Sequence, residues 1–236
     1  MPSASPWVAV LNPSEWNAAI AALLLFTGLS VPSTAALADG AGAAAPDAPL
    51  VAAEPAWEFE VAGYGYFIPD DDDYLQPTVT ADRGWLHLEA RYNYEDRDTA
   101  SAWLGYNFAG AGREVEWSFT PMLGAVAGNT AGVAPGYRAW VTWRRLEFSS
   151  EGEYLFDADD SGDNFAYTWS ELGVVPLDWW RFGLVVQRTR VYETDLAIQR
   201  GLYLGFSGDW WSLTTYVFNP DESDDRVLVV GATAAF

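Results

Sequence analysis

From Trp57 onward, apolar and polar residues alternate with a period of two. Trp57, Phe59, Val61, Gly63, Gly65 and Phe67 fall on one face, and Glu58, Glu60, Ala62, Tyr64 and Tyr66 on the other. A β-strand sends alternate side chains to opposite faces, so this spacing predicts a strand with one greasy side. The pattern recurs. Leu86, Leu88, Ala90, Tyr92 and Tyr94 oppose His87, Glu89, Arg91 and Asn93, and Val115, Trp117, Phe119 and Leu123 oppose Glu114, Glu116, Ser118 and Thr120. No stretch after Asp39 sustains the stripe of apolar positions that a helix needs. Turn signals divide the chain into twelve strands, at about 57–67, 76–82, 85–94, 100–108, 114–124, 137–148, 151–157, 164–175, 179–190, 196–206, 210–218 and 226–236. Roughly ten residues each is the length that crosses a bilayer with tilt.

The links between these strands sort into two kinds. Alternate links are short: Asp82-Arg83-Gly84, Ala109 to Arg113, Ser149-Ser150, Pro176-Leu177-Asp178 and Ser207-Gly208-Asp209. The others are mostly longer and acidic, at 69–75, 95–99, 125–136, 157–163, 191–195 and 219–225. Aromatic residues gather at strand ends. Trp57, Trp85, Phe108, Phe148, Trp179, Trp180, Phe206, Trp210, Trp211 and Phe236 would mark a periplasmic rim. Phe67, Tyr94, Tyr137, Phe156, Phe165, Tyr192 and Phe218 would mark an external one. Short turns on one side, long loops on the other and two aromatic girdles predict an all-β fold, a closed antiparallel up-and-down transmembrane β-barrel of about twelve strands.

The chain ends in Phe236, and counting back by twos gives Ala234, Ala232, Val230 and Leu228, all apolar. This ending resembles the C-terminal assembly signal of bacterial outer-membrane β-barrel proteins, in detail over the last strand and as architecture over the rest. The resemblance implies a porin-like class of Gram-negative outer-membrane protein and recognition of the strand ending in Phe236 by the barrel-assembly machinery. It also implies contact with outer-membrane lipid and lipopolysaccharide. It leaves the oligomeric state open.

The N-terminal region reads as an address. Ala18 to Leu29 is an apolar run too short to span a bilayer as a helix, and Ala36-Leu37-Ala38 has the small-x-small form of a cleavage site. Residues 1–38 are therefore expected to be a signal peptide, although Glu15 and the absence of Lys or Arg before the apolar run depart from the usual pattern. Residues 39–55, rich in Ala, Pro and Gly, read as a flexible leader, and 56–236 as the barrel.

Composition sharpens this picture. Apolar residues make up 50% of the chain and aromatics 16%, too many for a disordered chain despite a net charge of -21. Every basic residue is Arg, and the acidic balance excludes a nucleic-acid partner, because phosphate binding needs a basic surface. With no Cys, a disulfide framework and a thiolate metal site are excluded as well.

The polar face collects the candidate chemistry. Glu58, Glu60, Tyr64, His87, Glu89, Arg91, Glu116, Arg138, Arg144 and Arg181 are expected to line the lumen, with Glu153, Tyr66, Trp103 and Trp140 on the same side. Carboxylates and guanidiniums facing each other can cross-pair or select solutes by charge, and the large rings predict a narrow or plugged interior. Arg144, Glu171 and Arg200 fall on otherwise apolar faces, which predicts bulges near Arg144, Ser170 and Arg200. No cofactor is implied beyond Ca²⁺ in the external loops. Asp70, Asp71, Asp72, Asp73, Asp157, Asp159 and Asp160 supply the hard oxygens for it. His87 is the single His, and Glu89 rather than Ser lies two positions along, so no local Ser–His pair marks an enzyme. The leading expectation is a narrow channel for small solutes. The alternatives are a closed structural or surface-binding barrel with acidic cation-binding loops and, third, a lipid-modifying enzyme.

Overall fold

The computed structural model describes residues 55–69, 72–191, 197–223 and 225–236. The expected signal peptide, the leader up to residue 54 and the candidate ligands Asp70 and Asp71 lie outside them. Thirteen strand segments run β1 Glu58–Phe67, β2 Tyr74–Arg83, β3 Leu86–Tyr92, β4 Ala100–Tyr106, β5 Phe108–Ala111, β6 Val115–Ala127 and β7 Gly132–Trp143. They continue with β8 Leu146–Asp157, β9 Phe165–Leu177, β10 Trp180–Val191, β11 Ala197–Ser207, β12 Trp211–Phe218 and β13 Val227–Ala235. Sequential strands pair antiparallel, β13 returns to β1, and β4 and β5 both pair with β6 in one register. Since β5 continues β4 past Asn107, the result is a closed barrel of twelve antiparallel strands. Closure leaves no unpaired sheet edge, the one way a sheet can satisfy its peptide groups in hydrocarbon.

Pairing fixes which residues face out. Leu104, Leu123, Leu172, Leu184, Leu202 and Leu204 are each more than 40% exposed, as an outer wall against lipid requires. Trp57, Trp85, Phe108, Phe148, Trp179, Phe206, Trp210, Trp211 and Phe236 are all exposed at the short-turn end, where the first girdle was expected. The second girdle is thinner. Phe67 and Phe156 are exposed near the long-loop end, but Phe218 is fully buried inside the barrel. Tyr94 also turns inward, because Asn93 has a φ of 56° and interrupts the alternation.

Three further expectations change. The turn placed at Ser149-Ser150 lies at Arg144-Arg145. Trp143 pairs with Leu146 across a two-residue hairpin whose first residue, Arg144, has a φ of 57°. Turns of this length need φ > 0 at that position, which is usually given to Gly. An Arg-Arg pair therefore carried no turn signal. No bulge occurs near Ser170, where β8 and β9 keep one register. Glu171 lines the lumen together with Tyr167 and Trp169, so the face on which it falls is the inner one and not the apolar wall. No bulge occurs at Arg200 either. It stands on the outer face near the long-loop end and pairs with Asp221 at 3.0 Å. The register shift that does occur lies between Trp180 and Phe182, where β10 meets β9.

Candidate solute pathway in the lumen

The inward positions build two halves. Toward the short-turn end the lumen is open: a cavity of about 840 Å³ is lined by Glu58, Glu60, Tyr64, Asp82, His87, Arg138, Trp140, Glu151, Glu171 and Arg181, among others. Toward the long-loop end it fills. One apolar cluster joins Tyr66, Trp169, Val185, Tyr203, Tyr216, Phe218, Val227 and Val229, and a second joins Trp103, Met122, Val126, Ala134 and Leu155.

Between them runs a seam of ions. Arg91 on β3 crosses the lumen to Glu153 on β8, with Nη1 donating to Oε2 at 2.8 Å, while its Nε donates to Glu89 Oε1 at 2.5 Å. Its guanidinium lies 4.1 Å from the Tyr94 ring centroid and 4.4 Å from that of Trp103. The Arg91, Glu89 and Glu153 side chains are at most 3% exposed. A desolvated guanidinium held by two carboxylates and two ring faces is a rigid crossbar rather than a mobile side chain. Arg138 adds to it from β7, 3.5 Å from Glu89 and 3.9 Å from Glu151.

The link at 93–99 completes the obstruction by folding inward. Tyr94 Oη donates to Glu151 Oε1, and Ser101 Oγ donates to Glu95 Oε1, both at 2.5 Å. The Asn93 side chain donates to the Leu75 carbonyl, and the Asp98 N–H donates to Asn93 Oδ1. Burial pushes the Glu95 carboxyl above its ordinary range, against the pull of the Ser101 hydroxyl and Arg91. Asp96 is raised by partial burial as well.

A second polar group hangs below the first cluster. Trp169 Nε1 and Tyr216 Oη both donate to Glu171 Oε1, at 2.8 and 2.9 Å. Arg181 reaches Glu147 at 3.4 Å and Thr214 at 3.0 Å.

Most of the expected lumen residues therefore meet in one place. Glu58, Glu60, Tyr64, His87, Arg138 and Arg181 line the open cavity, and Glu89 and Arg91 form the crossbar. Glu116 shares the inward parity of Ser118 and Thr120 but is exposed at the short-turn mouth. Arg144 does not belong to the lumen. It sits in the hairpin turn, 62% exposed, and pairs with Glu114 at 2.9 Å. Glu171, Glu147, Tyr94 and Tyr216 were missed as site residues, and the cross-barrel pairings that bring them in have no local signal.

His87 has both ring nitrogens engaged, Nδ1 with Asp82 at 2.8 Å and Nε2 with Glu89 at 3.1 Å. An imidazole clamped between two carboxylates has no free nitrogen with which to take a substrate proton. In the loops, Asp157 Oδ1 accepts from the Asp159 and Asp160 N–H groups and Asp160 Oδ1 from that of Gly162. Among the described residues, no group of three or more His, Cys, Asp or Glu side chains is placed to hold a metal ion.

No protein-family model and no curated protein matches the chain. Solved structures do. KdgM porin aligns at a TM-score of 0.53 and 12% identity over 75% of this chain and 99% of that one. KdgM porin in complex with disordered oligogalacturonate gives the same figures, 0.53, 12%, 75% and 99%. The Acinetobacter baumannii outer membrane protein Omp33 aligns at 0.45 and 9% over 76% and 98%. At these identities the likeness is one of fold. The chain folds as a bacterial outer-membrane β-barrel, and its apolar wall suits it to that membrane.

Proposed function

We propose that this chain is a narrow porin-like channel that favours small cationic solutes and is closed at the Arg91 crossbar in this state. The charge of the open cavity supports this reading. Its lining carries five carboxylates, from Glu58, Glu60, Asp82, Glu151 and Glu171, against the guanidiniums of Arg138 and Arg181 and the imidazole of His87. Low-dielectric walls focus such an excess, raising the local concentration of cations and excluding anions. The same excess argues against carrying over an anionic oligosaccharide, such as the oligogalacturonate complexed by KdgM porin, as the solute of this chain.

A second reading, a closed structural barrel, is favoured by the two apolar clusters that fill the lumen toward the long loops. Planar-bilayer recording of the refolded protein separates the two. The expected result is discrete small currents whose reversal potential in a KCl gradient has the sign of cation preference. Anion preference would overturn the solute class, and electrically silent bilayers at every voltage would leave the structural reading.

A further inference from the structure

The outer wall is interrupted by a basic patch near the long-loop end. In the β9–β10–β11 pairing, Arg188 lies opposite Thr168 and Ile198 and shares its face with Phe182 and Leu184. It is exposed, and among the described residues it has neither an ion-pair nor a hydrogen-bond partner. Arg200 pairs with Val186, which makes it the diagonal neighbour of Arg188 on the same face, at the ~7–8 Å spacing of such pairs. Its Nη2 donates to Asp221 Oδ2 at 3.0 Å, with the two side chains 69% and 57% exposed, a pair open to exchange.

The depth is informative. Arg188 lies eight positions beyond Trp180, which belongs to the short-turn girdle on the same strand. At ~3.3 Å per residue and a tilt of ~40°, that is about 20 Å up an apolar band ~25 Å tall, just below the outer boundary. Hydroxyls lie beside it. Thr168 faces out opposite Arg188, and below it Ser170, Ser150 and Tyr137 are linked in a chain of hydrogen bonds at 2.9 and 3.0 Å. Two guanidiniums on the lipid face run against the charge of a chain at -21. A guanidinium at that depth is stabilised by an anion that reaches it from the lipid, and its planar fork fits phosphate.

We propose that Arg188 and Arg200 form a site for the phosphate of an outer-leaflet glycolipid, lipopolysaccharide, with Thr168 facing its sugar hydroxyls. The site is independent of the lumen and of whether the barrel conducts. It is tested by equilibrium unfolding of the full chain in three vesicle types: phosphatidylcholine alone, with phosphatidylglycerol, and with lipopolysaccharide. The expected outcome is a change of sign. In phosphatidylcholine, Arg188→Leu increases the folded-to-unfolded ratio because it removes a guanidinium facing hydrocarbon. With lipopolysaccharide it lowers the ratio by about tenfold, the worth of one charge-assisted contact. Arg200→Leu moves the same way by less, since Asp221 already shares that guanidinium. An effect of the same sign and size in all three membranes would overturn the site. An equal response to phosphatidylglycerol would overturn the glycolipid assignment and mark a site for any anionic lipid.

Discussion

At the scale of single residues, Arg91 carries the most consequence. Its guanidinium is 1% exposed and is held by Glu89, Glu153 and two aromatic faces. Removing one partner of a buried ion pair leaves the other charge uncompensated, which costs about 3–5 kcal/mol. Arg91→Met should therefore lower unfolding stability by about that amount in denaturant titrations. If the crossbar closes the channel, it should also raise single-channel conductance several-fold. A destabilised variant with unchanged current would place the constriction elsewhere. The inward direction of Arg91, Glu89 and His87 was legible from the period of two, because their strand alternates cleanly. That of Tyr167, Trp169 and Glu171 was not. Aromatic rings at alternate positions look lipid-facing, and only the pairing of Trp169 with Glu151 shows that they face the lumen.

Among the elements, the hairpins show why strand ends are harder to read than strands. The turn at Gly84 follows the rule that a position with φ > 0 goes to Gly, and there the expected and observed ends agree closely. Arg144 occupies the same kind of position without that signature, so its hairpin was displaced by several residues. The link at 93–99 is the element most open to control by pH. Glu95 and Asp96 have carboxyls raised above their ordinary values by burial. Ionised, each opposes the inward fold. As pH falls through their raised values toward the ordinary carboxylate range, each takes up a proton and that opposition is lost. Acidification from neutrality through these raised values should thus hold the link more firmly in the lumen and reduce conductance. Glu95→Gln should show the reduced conductance already at neutral pH and respond less to acid. A variant that titrates like the wild type would remove Glu95 from the gate.

At the scale of the whole molecule, the fold was legible because lipid imposes a constraint that few sequences satisfy by accident. Every wall residue must alternate, every strand must cross, and the sheet must close. Closure is completed where Phe236 exchanges two backbone hydrogen bonds with Phe59, each at 2.9 Å, and their rings stack at 6.0 Å. The Phe236 side chain is nonetheless 75% exposed. A ring so exposed contributes little to folding, so its truncation separates two roles. Phe236→Ala keeps both backbone bonds and should change unfolding stability in detergent by only about 1 kcal/mol. If the terminal ring is read by the assembly machinery, as the resemblance of the last strand to an outer-membrane assembly signal implies, the same variant should accumulate unassembled in cells while refolding normally in vitro. The heat-dependent shift in gel mobility of closed barrels reports both. Parallel loss in cells and in detergent would instead assign Phe236 to the stability of the β1–β13 seam.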